Sequence, residues 1–189
     1  MAEIDANVVQ VRAEPHHIRT LLDQAVENSQ AALANHRVVI AIEEPDDPAW
    51  FDPHLLGRVF RHLLENAARY SSPGSRIALR SRRVGDRLEF SVEDDGSGID
   101  AVDLPLIFEK FYRGKKGTAS RKGTGMGLAI ARAILHAHGG GIEVSSTLGY
   151  GTTFRFWVPR VEKEPTGAKL SLIHISALTR RRRRRSIRG

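Results

Sequence analysis

Gly123-Thr124-Gly125-Met126-Gly127-Leu128-Ala129-Ile130-Ala131 decides how the chain is read. A glycine-rich loop runs straight into an apolar helix. Free backbone N–H groups and the positive end of the helix dipole make such a junction an anion site. No strand precedes it, so it is not the dinucleotide-binding turn, and no Gly-x-x-x-x-Gly-Lys-[Ser/Thr] phosphate loop occurs anywhere. The Lys, His-Arg-Asp and Asp-Phe-Gly set of the Ser/Thr/Tyr kinases is also missing.

Upstream, Phe108-Glu109-Lys110-Phe111-Tyr112-Arg113-Gly114-Lys115-Lys116-Gly117 places aromatic rings in a basic loop. Exposing Phe108 and Phe111 is costly, so the loop reads as a lid whose rings pack when it closes and whose cations approach phosphate. Before it, Glu93-Asp94-Asp95-Gly96-Ser97-Gly98-Ile99 ends a strand in an acidic pair and a Gly-x-Gly bend. The glycines let backbone approach a flat ligand, and a carboxylate there can accept a hydrogen bond from an exocyclic amine. A calcium loop is rejected because its last position falls on Leu104, where a bidentate glutamate is required.

Earlier still, His62-Leu63-Leu64-Glu65-Asn66-Ala67-Ala68-Arg69-Tyr70 lies on an amphipathic helix. His62 and Asn66 are one turn apart and share a face. A half-buried asparagine amide needs a partner, which Mg²⁺ held jointly with phosphate oxygens would supply; a plain solvated helix face is the competing reading.

The surrounding pattern predicts α+β. Strands are expected at Asn7–Arg12, Arg37–Ile42, Arg76–Arg83, Arg87–Glu93, Gly141–Ser146 and Thr152–Val158, with a hairpin turn at Val84-Gly85-Asp86. Helices are expected from Glu14-Pro15 towards Leu33, from Pro53 to Tyr70 and from Gly127 to His138. Together they make a two-layer sandwich, a mixed and mostly antiparallel sheet with three helices on one face. Residues 1–6 read as a remnant, 7–159 as the domain and 160–189 as a disordered basic tail.

The 189 residues carry a net charge of +7. From Arg160 onward 10 Lys or Arg stand against 2 Asp or Glu, so residues 1–159 sum to −1. The basicity belongs to the tail, chiefly Arg180–Arg185, and nucleic-acid binding is expected only through it. The absence of cysteine excludes disulfides, thiolate metal sites and a cysteine nucleophile. No apolar run approaches bilayer-spanning length, and the acidic N-terminus does not read as a signal peptide.

In this order, the four blocks resemble the ATP-binding catalytic domain of sensor histidine kinases, a member of the superfamily shared by gyrase, the ninety-kilodalton heat-shock chaperones and the mismatch-repair ATPases. The likeness spans roughly residues 7–159 and implies the Bergerat ATP-binding fold. It implies that Asn66 coordinates Mg²⁺, that Arg69 reaches the phosphates and that Tyr70 packs near adenine. Asp94 would take the adenine amino group, with Gly96, Gly98 and Ile99 shaping the pocket. Lys110 and Arg113 would meet phosphate from the lid. Gly123, Thr124, Gly125, Met126, Gly127 and Leu128 would wrap the phosphate chain. Gly149-Tyr150-Gly151-Thr152-Thr153-Phe154 resembles the family's final motif, from which Thr152 would assist Asp94 through water. The catalytic set so implied is Asn66, Arg69 and Arg113, with ATP and Mg²⁺ as cofactors.

Two departures stand out. Position 62 is histidine where histidine kinases often carry asparagine. The phosphoacceptor hairpin is also not evident. His16-His17-Ile18-Arg19-Thr20-Leu21-Leu22 mimics its histidine box, but the 49 residues between His16 and Asn66 leave no room for two long helices beside the domain's own elements. The resemblance therefore implies a partner phosphoacceptor domain, a downstream response regulator and a bacterial cytoplasmic location, with a membrane-anchored parent protein left open. The alternatives are a nucleotide-binding module without kinase activity of its own and an anti-sigma-type serine kinase. All of these readings require Asn66, Asp94 and Gly125 to converge on one cavity.

Overall fold

The strongest amphipathic pattern in the sequence becomes the longest helix. In the computed structural model, which describes residues 10–43, 48–114 and 124–160, α3 runs over Pro53–Tyr70. Asp52 caps it: the side chain accepts the Leu55 N–H at 2.9 Å, and Pro53 fills the first turn, where no N–H is needed. Leu56, Val59, Phe60, Leu63, Leu64 and Ala67 form its buried face.

That face lies on a five-stranded sheet of β2 (Arg37–Ile42), β4 (Arg76–Val84), β5 (Arg87–Asp94), β6 (Gly141–Thr147) and β7 (Gly151–Pro159), in the order β2-β4-β5-β7-β6. Only the β2–β4 pair is parallel, so the sheet is mixed and mostly antiparallel, as expected. Gly85, at φ +56°, makes the tight turn from β4 to β5. Period-two alternation on β5 sends Leu88, Phe90 and Val92 to the helices. Phe60 meets the rings of Phe90 and Phe156 at 5.5 and 5.0 Å, and those two stack at 5.3 Å. On the opposite face Glu89 is buried beneath Arg82, Arg87 and Arg155, whose guanidinium groups all pair with it.

α4 (Gly127–Ala137) packs beside α3. Beyond its end the His138 ring ties the two helices together. Its Nδ1 lies 2.9 Å from the Ile134 carbonyl, and its Nε2 lies 3.4 Å from the Asp52 backbone N–H. Burial lowers the pKa of His138, which suits a neutral ring donating from Nδ1 and accepting at Nε2.

The N-terminal quarter departs from expectation. Residues 10–13 form no strand, and residues 7–9 of the expected Asn7–Arg12 strand lie outside the described region. The strand falls later, as β1 (Glu14–His16), paired antiparallel with β3 (Ala49–Phe51), which the sequence reading did not anticipate. Pro15 suits a two-stranded edge ribbon, where its missing N–H is tolerated, so it lies within a strand instead of opening a helix. The helix begins at Ile18 and breaks at Ser29 (φ −107°, ψ 7°) into α1 (Ile18–Asn28) and α2 (Gln30–Leu33). The described residues therefore hold four helices where three were expected, because one was split. His16 is a strand residue with its ring edge-on to Phe51 at 5.9 Å, which agrees with rejecting the acceptor-box reading.

Among the described residues no helix is long and apolar enough to cross a membrane. Phe60→Ala is expected to lower the unfolding free energy by about 3–5 kcal/mol in urea melts. Val39→Ala, at a position 43% exposed on β2, should change it by about 0.5 kcal/mol or less.

Candidate nucleotide-binding site

A cavity of about 970 Å³ opens where α3, the end of β5 and the first turn of α4 meet. α3 supplies His62, Glu65, Asn66, Arg69 and Tyr70 to its wall. The helical period requires this: with 56, 59, 60, 63, 64 and 67 turned to the sheet, positions 62, 66, 69 and 70 fall on the other side. The Asn66 side chain forms no hydrogen bond with any described residue and borders the cavity, so its amide is available to a ligand.

Asp94 stands at the last residue of β5, across from Thr152 on β7, and both line the cavity. Only 8% exposed, the carboxylate accepts the Gly96 N–H at 3.0 Å and lies 3.5 Å from Ser71 Oγ. Burial pushes its pKa up to about 6, and the donors of Gly96, Ser71 and Thr152 restrain the rise. Gly98, at φ +66°, lets the chain turn beneath the β6–β7 hairpin, where a side chain would collide with the Thr147 carbonyl. Ser146 locks this corner: its Oγ accepts the Ile99 N–H at 2.8 Å, donates to the Gly151 carbonyl at 2.8 Å and lies 3.0 Å from Thr152 Oγ1.

The α4 side of the cavity is bounded by Thr124, Gly125, Met126, Gly127 and Leu128. Gly125, at φ +71°, abuts the Phe111 backbone, and its carbonyl accepts the Phe111 N–H at 3.0 Å. Of the two expected lid rings, Phe108 packs edge-on against Phe154 at 6.3 Å beneath the Arg132 guanidinium. Phe111 is instead 69% exposed and adopts φ +64°. Tyr112 donates to Asp103 Oδ1 at 2.7 Å, and Arg113 borders the cavity.

Of the residues singled out from sequence, Asn66, Arg69, Tyr70, Asp94, Gly98, Ile99, Arg113, Thr124, Gly125, Met126, Gly127, Leu128 and Thr152 line this one cavity. Gly96 sits behind it as a donor to Asp94. Lys110 is exposed and off its wall. Gly123 lies outside the described residues. Sequence reasoning missed Ser71, Ser146, Asp103 and Tyr112. Ser71 directly follows Tyr70 and Tyr112 stood inside the quoted lid block, but nothing local links Ser146 to residues 99 and 152.

Among the described residues no three His, Cys, Asp or Glu side chains cluster as a metal cage. Asn66 and the Glu65 carboxylate both border the cavity, and oxygen donors of this kind fit Mg²⁺, which takes few protein ligands and completes its shell with phosphate oxygens and water.

Comparison with known proteins agrees with this geometry. Residues 51–162 match the family model described as histidine kinase-, DNA gyrase B-, and HSP90-like ATPase. The chain is 31% identical to the sensor protein KdpD of Clostridium acetobutylicum over 85% of its own length and 18% of that protein. It is 31% identical to the sensor protein SrrB of Staphylococcus aureus over 86% of its length and 28% of the relative. It thus spans under a third of either protein. A mycobacterial sensor histidine kinase MprB structure superposes with a TM-score of 0.68 at 27% identity, covering 79% of this chain and 98% of that one. Full-length ShkA in complex with AMPPNP superposes at 0.73 and 26% identity, covering 82% of this chain and 33% of ShkA. Sequence, fold and cavity agree: the chain belongs to the histidine kinase-, gyrase- and HSP90-like ATPase family, in the branch of the sensor histidine kinases.

Proposed function

We propose that residues 7–159 form the Mg–ATP-binding catalytic domain of a two-component sensor histidine kinase, which passes the γ-phosphoryl group to a histidine on a phosphoacceptor domain outside this sequence. The observation that carries the reading is that Asn66, Asp94 and Gly125, from three separate motifs, line one cavity. Asp94 accepts the adenine amino group, with Thr152 and Ser146 holding a polar floor beside it. Tyr70 and Ile99 flank the base. Gly125 and Gly127 bring backbone N–H groups of the α4 terminus to the phosphates, while Arg69 and Arg113 neutralise their charge. Mg²⁺ held by Asn66 would draw charge from the phosphate oxygens and orient the chain.

The protein's own work is positioning and electrostatics; the nucleophile belongs to the partner. The phosphohistidine would then serve a response regulator. No observation favours a serine acceptor, and the acid lability of the product separates the two. With a purified phosphoacceptor hairpin and labelled ATP, acid-labile label on the hairpin is expected. Unlabelled hairpin would leave a nucleotide-binding module.

Asp94→Asn should weaken ADP binding by about 10–100-fold, the worth of a charged hydrogen bond turned unfavourable. Asn66→Asp should change the Mg²⁺ dependence of binding and leave metal-free ADP affinity much less affected. Both are read by calorimetric titration.

The raised Asp94 pKa gives a control for folding. Its ordinary value is 3.8 and its folded value about 6, so protonation favours the folded state. The stabilisation is complete below about pH 4 and is lost as pH rises through about 6. At pH 8, Asp94→Asn should therefore be more stable than wild type in urea melts by up to about 3 kcal/mol, roughly two pK units, with the gap closing towards pH 4. A variant that gains stability while losing nucleotide has lost recognition rather than fold.

A further inference from the structure

The half of α3 before His62 carries a second stripe that the cavity above does not use. His54, Arg58 and Arg61 recur at i, i+4 and i+7 and so share one face of the helix. With Gly57 they wall a separate groove of about 490 Å³, to which α1 and β1 also contribute. No residue lines both this groove and the nucleotide cavity. α1 brings Gln24 and Asn28, again one turn apart, beside the buried apolar side chains of Leu21 and Ala25.

A basic stripe on a helix is ordinarily a solvated face, but the polar groups here lack partners. Neither Arg58 nor Arg61 forms an ion pair or a hydrogen bond with another described residue, although like charges three residues apart on a helix repel. The one acid on the wall, Glu14, is exposed and pairs with neither arginine. His16, from β1, also lines the groove, and its Nε2 is buried without a hydrogen-bond partner among the described residues.

Gly57 separates the two readings. A glycine inside a helix destabilises it relative to alanine, and a tight contact is the usual reason for one. Here a Cβ would meet nothing within 4 Å. The chain's own packing does not require the glycine; what the missing side chain leaves is room in the groove, between cations that have no anion.

We infer that this groove is a binding site for a small organic anion carrying a phosphate or at least two carboxylates, held over Gly57 by Arg58, Arg61 and His16. Guanidinium forks pair carboxylate and phosphate oxygens two at a time, and two of them one turn apart match a multiply charged ligand better than a single charge. Leu21, Ala25 and Pro53 give its carbon skeleton an apolar bed. The volume falls in the range of small-molecule sites. Residues 1–159 sum to −1 and so offer no long-range basic field of the kind that draws nucleic acid or an acidic membrane.

The test is an NMR titration of the labelled chain with citrate, glucose 6-phosphate and inorganic phosphate, with glucose as the uncharged control. The Gly57 amide and the Arg58 and Arg61 Nε–H signals report this groove and not the basic residues beyond Arg160. Citrate or glucose 6-phosphate should shift them saturably, with a Kd of about 1 mM or tighter. Arg58→Gln and Arg61→Gln should each weaken binding by about tenfold or more, the worth of a charged hydrogen bond. Gly57→Leu should abolish binding by filling the groove, yet raise the urea midpoint, since leucine is the better helix former and finds open space there.

A response to citrate alone assigns a polycarboxylate ligand, a response to glucose 6-phosphate alone a phosphate ester, and a response to both a site that reads charge. No saturable shift with any of the three up to about 10 mM, ten times that Kd, overturns the site. A response to inorganic phosphate alone leaves an adventitious ion only and overturns it too, as does glucose binding as well as glucose 6-phosphate. Binding that survives Gly57→Leu or either arginine substitution overturns the assigned contacts. A loss of stability in Gly57→Leu shows the position to be packed and overturns the open groove.

Discussion

The packing of Phe60 against Phe90 and Phe156 fixes what the rest of the molecule can do. It sets the rotation of α3 about its own axis, and the rotation decides which residues of that helix can meet a ligand. With Leu63, Leu64 and Ala67 committed to the core, His62, Asn66 and Arg69 have one place to go. The cap at Asp52 and the His138 bridge then fix the helix along its length and against α4. Core and cavity wall are two faces of one element, so a core change that rotates α3 would displace Asn66 and Arg69 together.

The other end of the cavity is held by backbone. β5 ends at Asp94 because the chain must turn, and the turn is possible because Gly98 tolerates the Thr147 carbonyl at close range. Burying a carboxylate here carries a cost, visible in its raised pKa. A strand end that stores such a cost makes sense where a ligand's donor later relieves it. The electrostatics of the pocket are local. Residues 1–159 sum to −1, so under the proposed function attraction for phosphate would come from the α4 terminus, Arg69 and Arg113 and not from an overall basic field.

The sequence disclosed most where one residue's chemistry and a regular period pointed the same way. The amphipathic run of α3 and the glycine entry to α4 each named their element, and the helical period put His62 and Asn66 on one face. Legibility failed where long-range pairing overruled local preference. Pro15 looks like a helix opener until β3 is known to lie opposite it, and the partner strand, Ala49–Phe51, is too short to announce itself. Ser146 is a plain strand serine in sequence, and only the hairpin register places it beside Ile99 and Thr152. Thirteen cavity-lining residues were legible because they came in motifs, whereas Ser71, Ser146 and Asp103 come singly from positions defined by their neighbours.

The lid segment shows how these constraints combine. Its path after Asp94 is tied at Ile99 to Ser146, at Tyr112 to Asp103, at Phe111 to Gly125 and at Glu109 and Phe108 to Arg132 of α4. Two of these ties run to α4 or the loop entering it, and α4 is itself fixed to α3 through His138 and Asp52. Arg113 is therefore held at the cavity edge through the same helix pair that positions Asn66 and His62, although 46 residues lie between it and Asn66. Asn66, His62 and Arg113 thus share one frame, and that frame is joined to the strand end as well, since Ser71, just past α3, donates to Asp94 and the Tyr70 carbonyl accepts the Ser97 N–H. Because Phe60 of α3 also packs on Phe90 of β5, the two ends of the cavity rest on one connected support, and a substitution that shifts α3 reaches Asp94 as well.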